Sequence, residues 1–159
     1  MRVAIYYSVD DPESGGAYTF ETDILDGIRK VAEESPQQFT VLCFPGAVSA
    51  LKKKLGNDFP IHTIKTSWLR RIIGSLLNTT DSLRTRLKFK SWLDKAADEI
   101  DADFIWILGK GPCLTERPYI TVVWDLQHRV TPWFPEMSSR AWDWREQTHN
   151  WFIRRAVNI

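Results

Sequence analysis

The chain predicts an α/β fold, a doubly wound parallel sheet with helices on both faces. Three observations carry this. Short runs of β-branched and aromatic apolar residues alternate with segments whose apolar residues recur at helical spacing. The strand-like runs are apolar almost throughout rather than alternating with polar residues, as expected of parallel strands covered on both sides. The first of them passes through a glycine-bearing loop into a helix, the opening of a βαβ unit.

The elements follow in order. "RVAIYY" (2–7) reads as a buried parallel strand, and "SVDDPESGG" after it is dense in turn formers. Over 17–34, Phe20, Ile24, Ile28 and Val31 recur at helical spacing. "FTVLCF" (39–44) is a second strand, "AVSALKKKL" a short helix, and "FPIHTI" contains a third, short strand. "SWLRRIIGSLLN" sets Leu69, Ile72, Ile73, Leu76 and Leu77 on one helical face, whose expected use is packing against the sheet. Residues 82–98 are expected to form another helix, with Leu83, Leu87, Trp92, Leu93 and Ala97 as apolar contacts. "DFIWIL" (103–108) is a fourth strand and "YITVVW" (119–124) a fifth. The closing helix covers "SSRAWDWREQTHNWFIRRA", with Ser138 or Ser139 as N-cap. Val157–Ile159 reads as the start of a further strand, so the chain is expected to be a fragment.

At 159 residues the chain suffices for one domain with a hydrophobic core. With 43% apolar and 26% charged residues it reads as soluble and globular, not disordered. No stretch approaches the roughly 20 apolar residues of a membrane span. "MRVAIYYSVDDPE" lacks the basic, apolar and small-residue regions of a secretory signal. Cys43 and Cys113 form no CxxC and are expected as reduced thiols, so the expected location is cytoplasmic. Net charge is only +1, yet residues 52–90 hold ten Lys and Arg against Asp58 and Asp81. That excess suits phosphates or an anionic membrane, or equally a set of solvated helix faces. Near-neutral overall charge and the lack of a recognisable module argue against nucleic acid as a partner.

In open α/β sheets, ligands bind beyond the carboxyl ends of the strands, and three loops there carry candidate residues. Gly15 and Gly16 let backbone approach a ligand closely, and the helix that follows points free N–H groups at an anion such as phosphate. The pair matches neither GxGxxG nor GxxxxGK[ST], and it serves equally as a plain strand-to-helix turn. Lys110, between two glycines in "LGKGPCLTERP", can carry a cation to a phosphate or carboxylate, or lie in an ordinary connector. In "ITVVWDLQHRVTPWFPE", His128 can titrate near neutral pH or bond a sugar hydroxyl, and Asp125 can orient it or bind a hydroxyl itself. The cluster of Asp125, Gln127 and His128 immediately past a strand favours a functional use over a structural one.

"VVWDLQHRVTPWFPEMSSRAWDWR" resembles the segment of family 4 retaining glycosyltransferases in which an apolar strand runs into His-Asp-Leu-Gln-His, then Pro-Glu and an arginine-bearing helix. Asp125, Leu126, Gln127, His128, Pro135, Glu136 and Arg140 match it. "RVAIYYSVDDPESGGAYTFETDIL" is similar to the family's opening strand and Gly-Gly loop, a less specific likeness. The resemblance implies a GT-B architecture of two Rossmann-like domains. The chain would be most of the N-terminal, acceptor-side domain. It would stop before that domain's last elements and lack the C-terminal domain that binds the nucleotide-sugar, so alone it would not catalyse. The implied reaction is retaining transfer from a nucleotide-sugar, as co-substrate, to a glycan or lipid-linked acceptor, with no metal or other cofactor expected.

On that reading His128 and Asp125 are the catalytic candidates, and Gly15, Gly16, Trp124, Gln127 and Lys110 bind substrate. Residues 65–92 would face the acceptor, at the inner surface of a membrane if the acceptor is lipid-linked. One departure stands out. Trp124 occupies the position where the family has a His placed against the transferred sugar. An indole stacks on a ring or donates one hydrogen bond, but it cannot titrate. In such enzymes the donor phosphate is thought to assist the acceptor, so no side-chain base is obligatory. Trp124 also favours the alternative of a non-catalytic Rossmann-like sugar- or nucleotide-binding or interaction module.

Overall fold

The computed structural model describes residues 1–8, 16–67, 90–109, 115–123, 127–130 and 139–157. The fold is α/β. Five strands form one all-parallel sheet: β1 (Arg2–Tyr6), β2 (Gln38–Cys43), β3 (Ile61–Thr63), β4 (Phe104–Ile107) and β5 (Tyr119–Thr121), in the order β3-β2-β1-β4-β5. The helices are α1 (Gly16–Glu34), α2 (Val48–Leu55), α3 (Trp92–Glu99), the one-turn α4 (Gln127–Val130) and α5 (Ser139–Phe152). A 3₁₀ turn, Pro45–Ala47, leads into α2, and another, Ile153–Arg155, ends α5. The arrangement is compatible with a Rossmann-like fold.

β1 shows why the sequence builds this sheet. It lies between β2 and β4, with Val3 opposite Phe39 and Phe104. Successive side chains alternate faces. Val3, Ile5 and Tyr7 enter one apolar cluster with Leu25 and Ile28 of α1 and Leu51 and Leu55 of α2. Ala4 and Tyr6 enter another with Leu93, Ala96 and Ala97 of α3 and Phe152 of α5. Both faces are thus covered, which is why the run is apolar at every position after Arg2. Each fully buried Leu or Ile contributes roughly 1.5–3 kcal/mol relative to exposure.

Three expectations shift in register or length. On α1 the inward stripe is Glu21, Leu25 and Ile28, whereas Phe20 and Val31 are exposed. The helix expected over 82–98 begins, within the described residues, only at Trp92. Ser91 is extended (φ −63°, ψ 166°), and its Oγ accepts the Asp94 amide at 2.9 Å, an N-cap that sets the start. The fifth strand stops at Thr121 rather than 124, because its one neighbour, β4, ends at Ile107 opposite it. Beyond α5, the Val157 amide donates to the Tyr119 carbonyl at 2.7 Å, so the chain returns to the outer side of β5. The expected helix over 67–78 falls almost wholly outside the described residues.

Candidate functional site

The strand order turns back on itself at one place. From β1 the chain steps outward through β2 to β3, then crosses back to the other side of β1 for β4 and β5. The connections from β1 and from β4 therefore lead to opposite sides of the strand order, and that switch point is where such sheets usually bind ligands. The Leu108 amide donates to the Tyr6 carbonyl at 3.1 Å, which holds the two strand ends level. Ser8 follows Tyr7 on one side and Gly109 follows Leu108 on the other.

Gly109 is buried, and a Cβ there would lie 2.4 Å from Ser8 Oγ and 2.6 Å from Ser8 Cβ. Only glycine admits this approach. The Ser8 hydroxyl in turn donates to Glu21 Oε1 at 3.3 Å. Glu21, one turn into α1, is 0% exposed. A carboxyl group is expensive to bury and is seldom found so without a structural or chemical use. Here it lies behind a partly exposed serine just past the carboxyl end of β1.

On the β4 side, a hydrogen-bonded clasp receives the chain where it enters β5. Buried Asp94 of α3 accepts from the Thr115 hydroxyl at 2.7 Å and the Glu116 amide at 3.0 Å, both on Oδ1, and from the Ser91 hydroxyl at 3.1 Å on Oδ2. Arg117 donates to Asp98 at 2.6 Å and to the Ala102 carbonyl. Lys90 reaches the other Asp98 oxygen at 2.6 Å. The hydrogen bonds from Lys90 and then Arg117 hold the Asp98 carboxyl below the usual carboxylate range. The loop bearing Lys110 thus has its far end tied to the first turn of α3.

Past β5, α4 carries the backbone of Gln127 and His128. Arg129 of this turn makes a two-pronged ion pair with Glu146 of α5, at 2.5 and 3.0 Å, which raises the Arg129 pKa and links α4 to α5. At the carboxyl ends of β2 and β3, a pocket of about 580 Å³ is lined by Phe44, Pro45, Ile64, Lys65, Thr66 and Ser67. Phe44 packs on Trp92 (5.4 Å between ring centroids), and Trp92 on Tyr6 (5.2 Å), so an aromatic row backs this edge. A groove of about 720 Å³ lies at the opposite, amino edge, beside Arg29, Gln37, Phe39, Leu55 and Phe59. Strand-end geometry favours the carboxyl edge despite the greater volume of that groove. Cys43 is buried, and burial pushes its thiol up to about 11, which removes it as a nucleophile at neutral pH.

Of the residues singled out from the sequence, Gly15, Lys110, Trp124 and Asp125 lie outside the described residues. Gly16 is the first residue of α1, and Gln127 and His128 are the first two of α4. Ser8, Glu21 and Gly109 were not singled out. The usable signal was Glu21 itself, an acid four residues before Leu25 and seven before Ile28, on the stripe that should be apolar. Among the described residues, no helix is long and apolar enough to cross a membrane, and no group of three His, Cys, Asp or Glu could hold a metal ion. The chain matches no protein-family model, no curated protein and no solved structure.

Proposed function

We propose that the chain is the acceptor-side domain of a retaining GT-B glycosyltransferase, acting on a nucleotide-sugar and a glycan or lipid-linked acceptor. The observation that carries the reading joins sequence to topology. The segment Asp125-Leu126-Gln127-His128, which resembles the family 4 motif, follows β5 of an all-parallel sheet whose strand order switches direction between β1 and β4.

In this reading the sheet brings the loops after β1, β4 and β5 to one edge. Gly15 and Gly16 approach the donor phosphates or transferred sugar, Lys110 meets an anionic group, and Trp124, Gln127, Asp125 and His128 line the cleft. Trp124 supplies a stacking face where the family has an imidazole, and His128 takes over part of that residue's polar role. A second domain would hold the donor nucleotide. Residues 65–92 would meet the acceptor, at the cytoplasmic face of a membrane if the acceptor is lipid-linked.

The test is calorimetric titration of the intact protein with uridine and guanosine diphosphate-sugars, paired with a transfer assay on His128→Ala and Trp124→His. The proposal expects one sugar nucleotide to bind and H128A to lose turnover. Binding of none refutes it. Binding with turnover unchanged in both variants would mark the motif as scaffold, whereas binding with no turnover in the wild type would favour a non-catalytic sugar- or nucleotide-binding module.

A further inference from the structure

We infer that Ser8 reads a hydroxyl group of the nucleotide-bound sugar, as a hydrogen-bond acceptor, at the crevice between β1 and β4. The inference rests on the glycosyltransferase reading and specifies which part of the ligand meets the sheet. A serine hydroxyl has one proton to give and two lone pairs to receive with. The Ser8 proton is engaged by Glu21 Oε1 at 3.3 Å, from the side of α1. What Ser8 offers to the crevice is therefore its lone pairs.

The surroundings keep that orientation. Glu21 is 0% exposed, so water does not compete for its oxygens, and Oε1 is the atom that accepts the Ser8 proton. Gly109 stands against the Ser8 side chain so closely that any Cβ would occupy the hydroxyl's place. Ser8 itself is partly exposed and is the second residue beyond the β1 end, at the turning point of the strand order. An acceptor-only group at that spot repels a phosphate oxygen, which has no proton to donate, and accepts a ring hydroxyl. Phosphate is left to the N–H groups at the start of α1. Glu21 is a positioning residue here, since it acts through Ser8.

The test uses the intact protein and four sets of probes: UDP-glucose and GDP-mannose, their monodeoxyfluoro analogues, UDP, and GDP. Fluorine keeps the size of a hydroxyl but cannot donate. In the wild type, fluorination at one ring position should weaken binding roughly three- to tenfold, the worth of one neutral hydrogen bond. S8A should weaken the sugar nucleotide by the same factor, abolish the penalty for that one fluorine, and leave UDP and GDP affinity unchanged. S8C keeps the bulk, accepts only weakly, and should behave like S8A if the alanine variant does not fold.

Binding with no fluorine-sensitive position overturns the inference alone. So does a Ser8 variant that weakens UDP or GDP as much as the sugar nucleotide, which would make Ser8 a phosphate contact. A Ser8 variant that keeps the fluorine penalty does the same. Failure of every sugar nucleotide to bind the wild type would instead defeat the glycosyltransferase reading, and this inference with it.

Discussion

Gly109→Ala probes the crevice at its tightest point. A methyl group there would sit 2.6 Å from Ser8 Cβ and 3.2 Å from the Ser8 amide nitrogen, as well as 2.4 Å from Oγ. Ordinary carbon contacts lie at about 3.5–4.0 Å. Rotating the Ser8 side chain relieves only the oxygen contact and breaks the bond to Glu21. The Cβ contact remains, so the strand ends must separate by about 1 Å. Overpacking of this kind costs typically 1–3 kcal/mol, and loss of a hydrogen bond to a buried acid adds about 1 kcal/mol or more.

A destabilisation of about 2–4 kcal/mol is therefore expected, read as a lowered urea midpoint at unchanged slope. Gly27→Ala is the control. Gly27 lies inside α1 with open space where a Cβ would go, and alanine there should stabilise by about 0.5–1 kcal/mol. If G109A costs less than about 0.5 kcal/mol under the same conditions, the close approach of the two strand ends is wrong.

Three further outcomes follow from the packing. Asp94→Ala strands the buried Ser91 and Thr115 hydroxyls and the Glu116 amide, and should cost about 3–5 kcal/mol by denaturant unfolding. Adding Thr115→Ala to it should cost less than the sum of the two single changes. Asp98 and Asp103 have folded pKa values below the usual carboxylate range, Asp98 through its bonds from Lys90 and Arg117, Asp103 chiefly through the Arg2 amide at 2.7 Å. Groups lowered in this way stabilise fully above the unfolded pKa of about 3.9 and lose that contribution as pH falls through the folded value. Asp98→Asn should thus lower stability at pH 7 and flatten the acid limb below about pH 4; an acid profile identical to wild type contradicts this. Gly56 ends α2 at φ +91°, where side chains strain the backbone, so Gly56→Ala should lower the melting temperature although nothing crowds the site.

Much of the fold can be read directly from apolar spacing. β1, β2 and β4 are buried on both faces, and such strands must be apolar at nearly every position, so their runs stand out. Edge elements are harder. β3 and β5 have three residues each, and their ends depend on where the neighbouring strand stops. The start of α3 depends on the Ser91 cap, which competes with an apolar pattern that runs on upstream. On α1, the period alone admits two stripes one residue apart. Helical reasoning prefers the one without an acid, and the fold uses the one with Glu21.

The candidate site is visible by another route. Gly15, Gly16, Lys110, Asp125 and His128 stand out as residue types suited to ligands, placed after strand-like runs. Ser8 and Gly109 have no such mark. Their place emerges only when β1 and β4, about a hundred residues apart in sequence, lie side by side in register, Val3 against Phe104 and Tyr6 against Ile107. No local pattern encodes that pairing.

The central claim is that the carboxyl edge of this sheet, around the β1/β4 crevice, is a sugar-nucleotide cleft. The most direct measurement is backbone amide NMR of the intact protein titrated with UDP-glucose and with GDP-mannose. The account predicts saturable shifts for one of the two, gathered at Ser8, Gly16, Gly109 and Gln127–Val130, with Arg29, Gln37 and Gly56 at the amino edge unmoved. Shifts confined to the amino-edge groove, or none with either ligand, would contradict it.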